Sequence, residues 1–258
     1  MRCPICEKEL KIVINNLHSK SYVCLNKHCF DISKYDYVNL LPFNSNSGDN
    51  KAMVDSRNSV MEDAYFLPLG IKIKEIIDSL NVKSVLDLGC GEGYYDRIIN
   101  DDNKYVLYGL DISKQAIIKA SKLSKGKAKY LIANIFKLPF FDNEFDLILN
   151  CFAPLEINEF HRVCKEYFIK VVPNRNHLIE LKEQLYDKIK ETVVDEVELD
   201  GFDLIFEENL KYKKYVYKIN ELFMMTPYYY TTHNNFDINL KECEVSFDFL
   251  IRLYKKRK

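Results

Sequence analysis

Charge of either sign is not in excess in this chain of 258 residues. Its 37 Lys and Arg stand against 38 Asp and Glu, a formal net charge of -1. That excludes a histone-like nucleic-acid coat. It leaves a local basic face open, because net charge says nothing about distribution. No run of 18 uncharged apolar residues is present, so no transmembrane helix and no membrane partner are expected. The opening residues Met1-Arg2-Cys3-Pro4-Ile5-Cys6-Glu7 hold no apolar stretch of the signal-peptide kind. A cytoplasmic, reducing location is therefore expected, where cysteines read as metal ligands or buried thiols before disulfides. Internal repeats and low-complexity segments are absent as well.

What is present is an ordinary globular balance, 47% apolar and 29% charged, with length enough to bury a core without staples. The eight cysteines are unevenly placed. Cys3, Cys6, Cys24 and Cys29 lie near the start, and Cys90, Cys151, Cys164 and Cys243 are scattered over the rest. Two close pairs, Cys3-x2-Cys6 and Cys24 with His28 and Cys29, have the spacing of a zinc ribbon or knuckle. Tetrahedral zinc takes four ligands and five candidates exist, so His28 and Cys29 compete for the last place. Such a closed site is structural, and about 35 residues depend on the metal for much of their folding energy.

Along the chain, residues 1–35 read as this zinc module and 36–70 as a linker and bridging helix. Residues 71–258 read as the larger domain. The polar stretch 44–50 reads as a loop, and a helix over 51–66 is expected to stop before Pro68. A helix over 71–80 follows. Then come strands over 83–89, 105–111, 129–134, 145–151 and 167–172, with a helix over 114–124. That alternation predicts an α/β fold with a parallel, doubly wound, Rossmann-like sheet covered by helices. Residues 201–218 and 243–254 are aromatic-rich strand candidates flanking a helix at 219–225.

Chemistry concentrates where the first of these strands ends, in Asp87-Leu88-Gly89-Cys90-Gly91-Glu92-Gly93. Alternate glycines allow a tight turn and close approach of a ligand to the backbone. Such a turn lies at the carboxyl end of a strand, where open α/β sheets bind ligands. The spacing is G-x-G-x-G, not the dinucleotide fingerprint G-x-G-x-x-G, and an acid precedes it. Asp87 would repel a pyrophosphate, whereas Asp87 and Glu92 suit an amino-bearing ligand. Asp111 closes the next strand, where a carboxylate accepts from both hydroxyls of a ribose. A nucleoside with an amino-acid tail satisfies both features, and S-adenosylmethionine is such a nucleoside. Asn134, after the third strand, either contacts the adenine or closes a turn. Asn150-Cys151-Phe152-Ala153-Pro154, after the fourth, stands where methyl group and acceptor should meet.

These residues together resemble the 23S rRNA (guanine-N1-)-methyltransferase family. The resemblance runs through Cys-Pro-x-Cys at 3–6, Cys24 to Asp31, Tyr37 to Pro42 and Gly48-Asp49. It continues through LDLGCGEGYYDR at 86–97, GLDISKQAI at 109–117, LPF at 138–140, FAP at 152–154, HLIELK at 177–182 and MTP at 225–227. It implies a class I methyltransferase with a small N-terminal zinc-binding module, using S-adenosylmethionine and holding Zn2+. It implies zinc on Cys3, Cys6, Cys24 and His28, with Cys29 a departure. It implies cofactor contacts at Phe66, Gly91, Glu92 and His177, beside the Asp87, Gly89, Gly93, Asp111 and Asn134 of the residue-based reading. Phe66 stands where relatives carry tyrosine. The implied partner is 23S rRNA, with a homodimer a further expectation.

The implied reaction moves a methyl group to N1 of a guanine in a hairpin loop of 23S rRNA. N1 carries a proton and lies on the Watson–Crick edge, so the base must be unpaired or flipped out and its proton removed. Tyr94, Tyr95 and Phe152 are candidate stacking platforms. No residue is assigned as the base, although Asp87, Glu92 and His177 are the polar groups expected nearby. Lys211, Lys213, Lys214 and Lys218 interleave with Tyr212, Tyr215 and Tyr217, and the tail reads Lys255-Lys256-Arg257-Lys258. These segments are either phosphate-binding or a solvated strand face and a frayed end. The alternative function is a methyltransferase acting on a small molecule or protein, with the zinc module recognising a partner.

Overall fold

A computed structural model describes residues 1–41, 51–185, 198–226 and 242–257. The expected loop at 44–50 lies outside the described residues, as do Pro42, Pro227 and Lys258. A small three-stranded sheet comes first: β1 (Leu10–Ile14), β2 (Lys20–Cys24) and β3 (Cys29–Asp31), all antiparallel. β4 (Tyr37–Asn39), α1 (Lys51–Glu62) and α2 (Leu67–Asp78) follow. The main run is β5 (Ser84–Leu88), α3 (Tyr94–Ile99), β6 (Val106–Asp111), α4 (Lys114–Ser124), β7 (Lys129–Ile132), β8 (Phe145–Cys151), α5 (Ile157–Val163) and β9 (Cys164–Pro173). It closes with α6 (Ile179–Leu185), β10 (Phe202–Val216), α7 (Ile219–Met224) and β11 (Cys243–Lys256).

The eight-stranded sheet has the order β10-β11-β9-β8-β5-β6-β7-β4. β4, β7, β6, β5, β8 and β9 are parallel, and β11 runs antiparallel between β9 and β10. The sheet is therefore mixed, not wholly parallel. From β5 the chain builds outward through β6 and β7, then returns to β8 on β5's other side. That reversal opens a crevice beyond the carboxyl ends of β5 and β8, where doubly wound sheets bind ligands.

Successive strand residues point to opposite faces. Val85 enters the core that faces α1 to α4, α6 and α7, with Ile73, Ile77, Tyr95, Ile117 and Leu222. Leu86 and Leu88 enter the other core, with Phe140, Phe145, Phe160 and Phe168. Helical cover on that second side is thin. Among the described residues it comes from α5, the segment 133–140 and the zinc ribbon, whose Cys3, Leu10 and Cys24 are buried there. The ribbon is stitched on further by β4, which pairs with β7, and by the Arg2 N–H donated to the Pro139 carbonyl at 2.8 Å.

Pro68 does not stop a helix. The first helix ends at Glu62, and Pro68 sits in the first turn of α2. A proline there loses no intrahelical hydrogen bond and its fixed φ suits the helix. The helix expected from residue 71 accordingly starts four residues earlier, and its buried Leu69, Ile73, Ile76 and Ile77 form one stripe. α4 spans the expected residues, with the Ser113 hydroxyl accepting from the Ala116 N–H at 3.3 Å.

Candidate functional site

A cavity of about 350 Å³ opens at the crevice between β5 and β8. The glycine turn forms its floor, α1 and α7 stand over it, and the start of α2 and the segment after β9 close its sides. Of the residues expected to hold the cofactor, Phe66, Asp87, Gly89, Gly91, Glu92 and His177 line it. Gly93, Asp111 and Asn134 are not among its lining residues.

Gly93 is structural. Its φ is +68°, and a Cβ there would run into the Tyr130 hydroxyl, so the turn into α3 admits no side chain. Asp111 braces the same turn: Oδ2 accepts from the Gly91 N–H at 2.9 Å and Oδ1 from the Ser113 N–H at 2.7 Å. The Asn134 side-chain oxygen accepts from the Phe136 N–H at 2.9 Å, which closes its turn.

Two acids in the cavity wall are buried without a hydrogen-bond partner on either oxygen, Asp87 at 1% exposure and Glu92 at 2%. Burial pushes the Glu92 carboxyl up to about 7, against the pull of Arg97, Lys119 and Arg57. Burial also holds Asp87 well above the usual carboxylate range, helped by its neighbours Asp96 and Asp111. Asp96, on α3, is buried beside Asp87 and is likewise raised. Asp96 was not legible as a site residue; a helix-facing acid carries no spacing signal.

His177 is half-buried among Phe66, Phe247 and Phe249, its ring centroid 4.6 Å from that of Phe249. Its Nδ1 accepts from the Asp248 N–H at 3.3 Å, so a neutral ring carries its proton on Nε2. Burial, with Lys182 nearby, lowers its pKa to about 3. The rest of HLIELK serves packing: Glu180 accepts from the Ser246 N–H and hydroxyl at 2.8 and 2.6 Å, which docks α6 on β11. Arg57 also lines the cavity, and its Nη1 is 3.5 Å from where a Cβ on Gly91 would stand. Sequence reading passed over Arg57, since one arginine in a helix gives no pattern. Asn150 is buried, and its amide donates to the Pro154 and Leu88 carbonyls at 3.2 and 3.4 Å. It fastens the loop after β8.

An amino-acid-bearing nucleoside fits this chemistry. The orphaned acids match an ammonium group, and Arg57, beside Gly91, is positioned to meet the carboxylate of the same amino-acid tail.

The metal centre is separate. The ligand atoms of Cys3, Cys6, Cys24 and His28 all lie within 4.8 Å of one another. Nδ1 of His28 is 3.5 Å from the sulfurs of Cys3 and Cys24, and the sulfurs of Cys6 and Cys24 are 3.6 Å apart. A tetrahedron with Zn–S of about 2.3 Å and Zn–N of about 2.0 Å has edges of roughly 3.5–3.8 Å, so the four donors fit zinc. Cys29 is exposed and turned toward Asp31, so His28 takes the contested place. Backbone turns at Glu7 and Lys27, with φ of 61° and 62°, shape the two knuckles.

The basic candidates divide by position. Strand β10 reaches the cavity end of the sheet at Val216, and Lys213, Lys214 and the exposed Tyr215 and Tyr217 sit in that half. Tyr212 turns inward and stacks on Phe247 at 5.3 Å. Lys213 pairs with Glu244 at 2.8 Å and Lys218 with Asp63 at 2.9 Å. The tail lies at the opposite end, beside the start of β9. As far as Arg257 it is held: Lys256 Nζ donates to Asn143 Oδ1 and to the carbonyls of His161 and Cys164, and Arg257 pairs with Asp203.

Comparison with known proteins covers both centres. The zinc-ribbon family described as "RlmA, N-terminal" matches residues 1–47, and a methyltransferase-domain family matches residues 86–174. The chain is 34% identical over 197 residues to the Bacillus subtilis protein named "Putative 23S rRNA (guanine-N(1)-)-methyltransferase YxjB", covering 72% of this chain and 68% of that one. It is 27% identical over 194 residues to the Streptomyces fradiae 23S rRNA (guanine(748)-N(1))-methyltransferase, covering 72% and 67%. Among solved structures, a methyltransferase from Bacillus halodurans superposes with TM-score 0.51 at 13% identity, covering 72% of this chain and 98% of that one. The Haloferax volcanii complex of the Trm112 activator and a methyltransferase gives 0.52 at 16%, covering 82% and 100%. At those identities the likeness is one of fold. No helix among the described residues is long and apolar enough to cross a membrane.

Proposed function

Because this chain belongs to the 23S rRNA (guanine-N1-)-methyltransferase family, and is an S-adenosylmethionine-dependent methyltransferase with a zinc-binding module, we propose that it methylates N1 of a guanine in a hairpin loop of 23S rRNA. The observation that carries the reading is the joining of two features in one chain. A cavity with orphaned Asp87 and Glu92 lies over the glycine turn, and a four-ligand ribbon is packed on the same sheet. The names of the relatives support the substrate.

When bound, S-adenosylmethionine supplies a methyl group on a positively charged sulfur. The chain's own residues do the rest. Glu92 and Asp87 attract the ammonium of the amino-acid tail, and Phe66 walls the cavity. Asp111 first of all holds the Gly91 turn by accepting one N–H on each oxygen, and a carboxylate oxygen has a second lone pair for a ribose hydroxyl at the tip of β6. His177, whose Nδ1 already accepts the Asp248 N–H, presents its Nε2–H on the cavity wall as a donor. Rate enhancement comes mainly from holding N1 in line with the methyl group, whose bond to sulfur breaks as the bond to N1 forms, while the N1 proton leaves to solvent. Cys3, Cys6, Cys24 and His28 hold zinc in a closed, structural site, which leaves the ribbon free to contact RNA. A homodimer belongs to the same reading and is tested by sedimentation.

The test incubates the protein with S-adenosylmethionine and 23S rRNA from cells that lack it, followed by nucleoside mass analysis. New 1-methylguanosine is expected. No rise in 1-methylguanosine, or methylation of small acceptors alone, overturns the reading.

A further inference from the structure

Phe152 is costly where it stands. It follows β8, directly beside the reversal point of the sheet, and adopts φ of +58°. That left-handed conformation is strained for a residue with a bulky side chain. The ring is also 42% exposed, on the rim of the cavity. A strained backbone and a bared aromatic ring both oppose folding.

The loop around it is rigid. The Phe152 N–H donates to the Val171 carbonyl at 3.1 Å, and Asn150 ties the loop to Leu88 and Pro154. Ala153 presses on Gly89 so closely that a Cβ there would clash. Phe249, 5.6 Å away between ring centroids, backs one side of the Phe152 ring. The two other aromatic candidates differ. Tyr95 is buried in the core, and Tyr94 packs edge-on against it at 5.4 Å with Arg97 over its ring.

We propose that Phe152 is the platform on which the extruded target purine stacks, a role that rests on the nucleic-acid substrate of the preceding section. A flipped-out base leaves its neighbours in the helix and needs a replacement stacking surface. A backbone locked in the left-handed region aims such a surface without allowing it to fold down into the core.

The decisive variant is Phe152→Gly, because glycine relieves the strain while removing the ring. Thermal melting, cofactor affinity by titration calorimetry, and kcat/KM on 23S rRNA from cells lacking the protein are measured together. The variant is expected to melt no lower than the parent and to bind S-adenosylmethionine equally well. Its kcat/KM on rRNA falls by about 5- to 150-fold, the range of base–aromatic stacking. Phe152→Trp and Phe152→Tyr restore most of it. Parental kcat/KM in Phe152→Gly overturns the proposal, as does a loss of cofactor affinity that matches the loss of activity. If the parent itself forms no 1-methylguanosine, the reading of the substrate falls and this role falls with it.

Discussion

Glu92 stores a conflict between folding and binding. Its carboxyl titrates at about 7 in the fold and near 4.5 when unperturbed. The folded chain therefore holds this proton more tightly than the unfolded one. The associated stability is fully present below about pH 4.5 and is lost as pH rises through 7, to the extent of about 3 kcal/mol. Glu92→Gln should make the cofactor-free protein more stable than the parent at pH 8 and nearly equal to it at pH 4. The same substitution should weaken S-adenosylmethionine binding. Urea unfolding at the two pH values and calorimetric titration check both; a stability gain independent of pH counts against the assignment. Asp111→Ala should weaken cofactor binding by about 1.5–3 kcal/mol, through loss of charge-assisted hydrogen bonds to the ribose and of its brace on the Gly91 turn, read by the same titration. At this scale the glycine turn and its acids were legible because they are contiguous and need special backbone geometry. The partners that tune them were not. Asp96, Arg57 and Tyr130 reach the turn from three different elements, and the strain at Phe152 is a dihedral angle that no residue pattern encodes.

The zinc ribbon shows what spacing can and cannot convey. The Cys3-x2-Cys6 pair and the Cys24–His28 pair announced the metal. The choice of His28 over Cys29 depended on which way each side chain leaves its turn, a matter of backbone geometry that the spacing left open. Cys24→Ser should lower bound zinc, measured by elemental analysis. Hydrogen exchange should rise in β1 to β3 while β5 to β8 stay protected, and retained zinc stoichiometry would refute the ligand set. The C-terminal strand carries the opposite lesson. Its lysines read as a phosphate-binding or frayed tail, yet Lys256 is bonded to three oxygens at the end of the sheet remote from the cavity. Lys256→Met should cost about 1–3 kcal/mol in stability, measured by denaturant unfolding, with no change in affinity for 23S rRNA.

Across the whole molecule, the alternation of strand and helix patterns gave the parallel centre of the sheet nearly element by element. What it missed was long-range. β11 inserts between β9 and β10, a pairing set by register and not by neighbouring sequence. The short β4 carries too few residues for a period-2 pattern, yet it extends the sheet beyond β7 and ties the ribbon to it. Its placement matters for solubility. A strand with unpaired backbone groups is a template for another chain. On one flank β10 carries Lys211, Lys213 and Lys214 and a register irregularity between Leu204 and Phe206, both of which discourage intruders. On the other, β7 carries Tyr130, Leu131 and Ile132 and, among the described residues, is paired on its outer side by β4. Chelated protein whose β4 has peeled away should therefore oligomerise through β7, seen as rising light scattering, and readdition of zinc before assembly should prevent it.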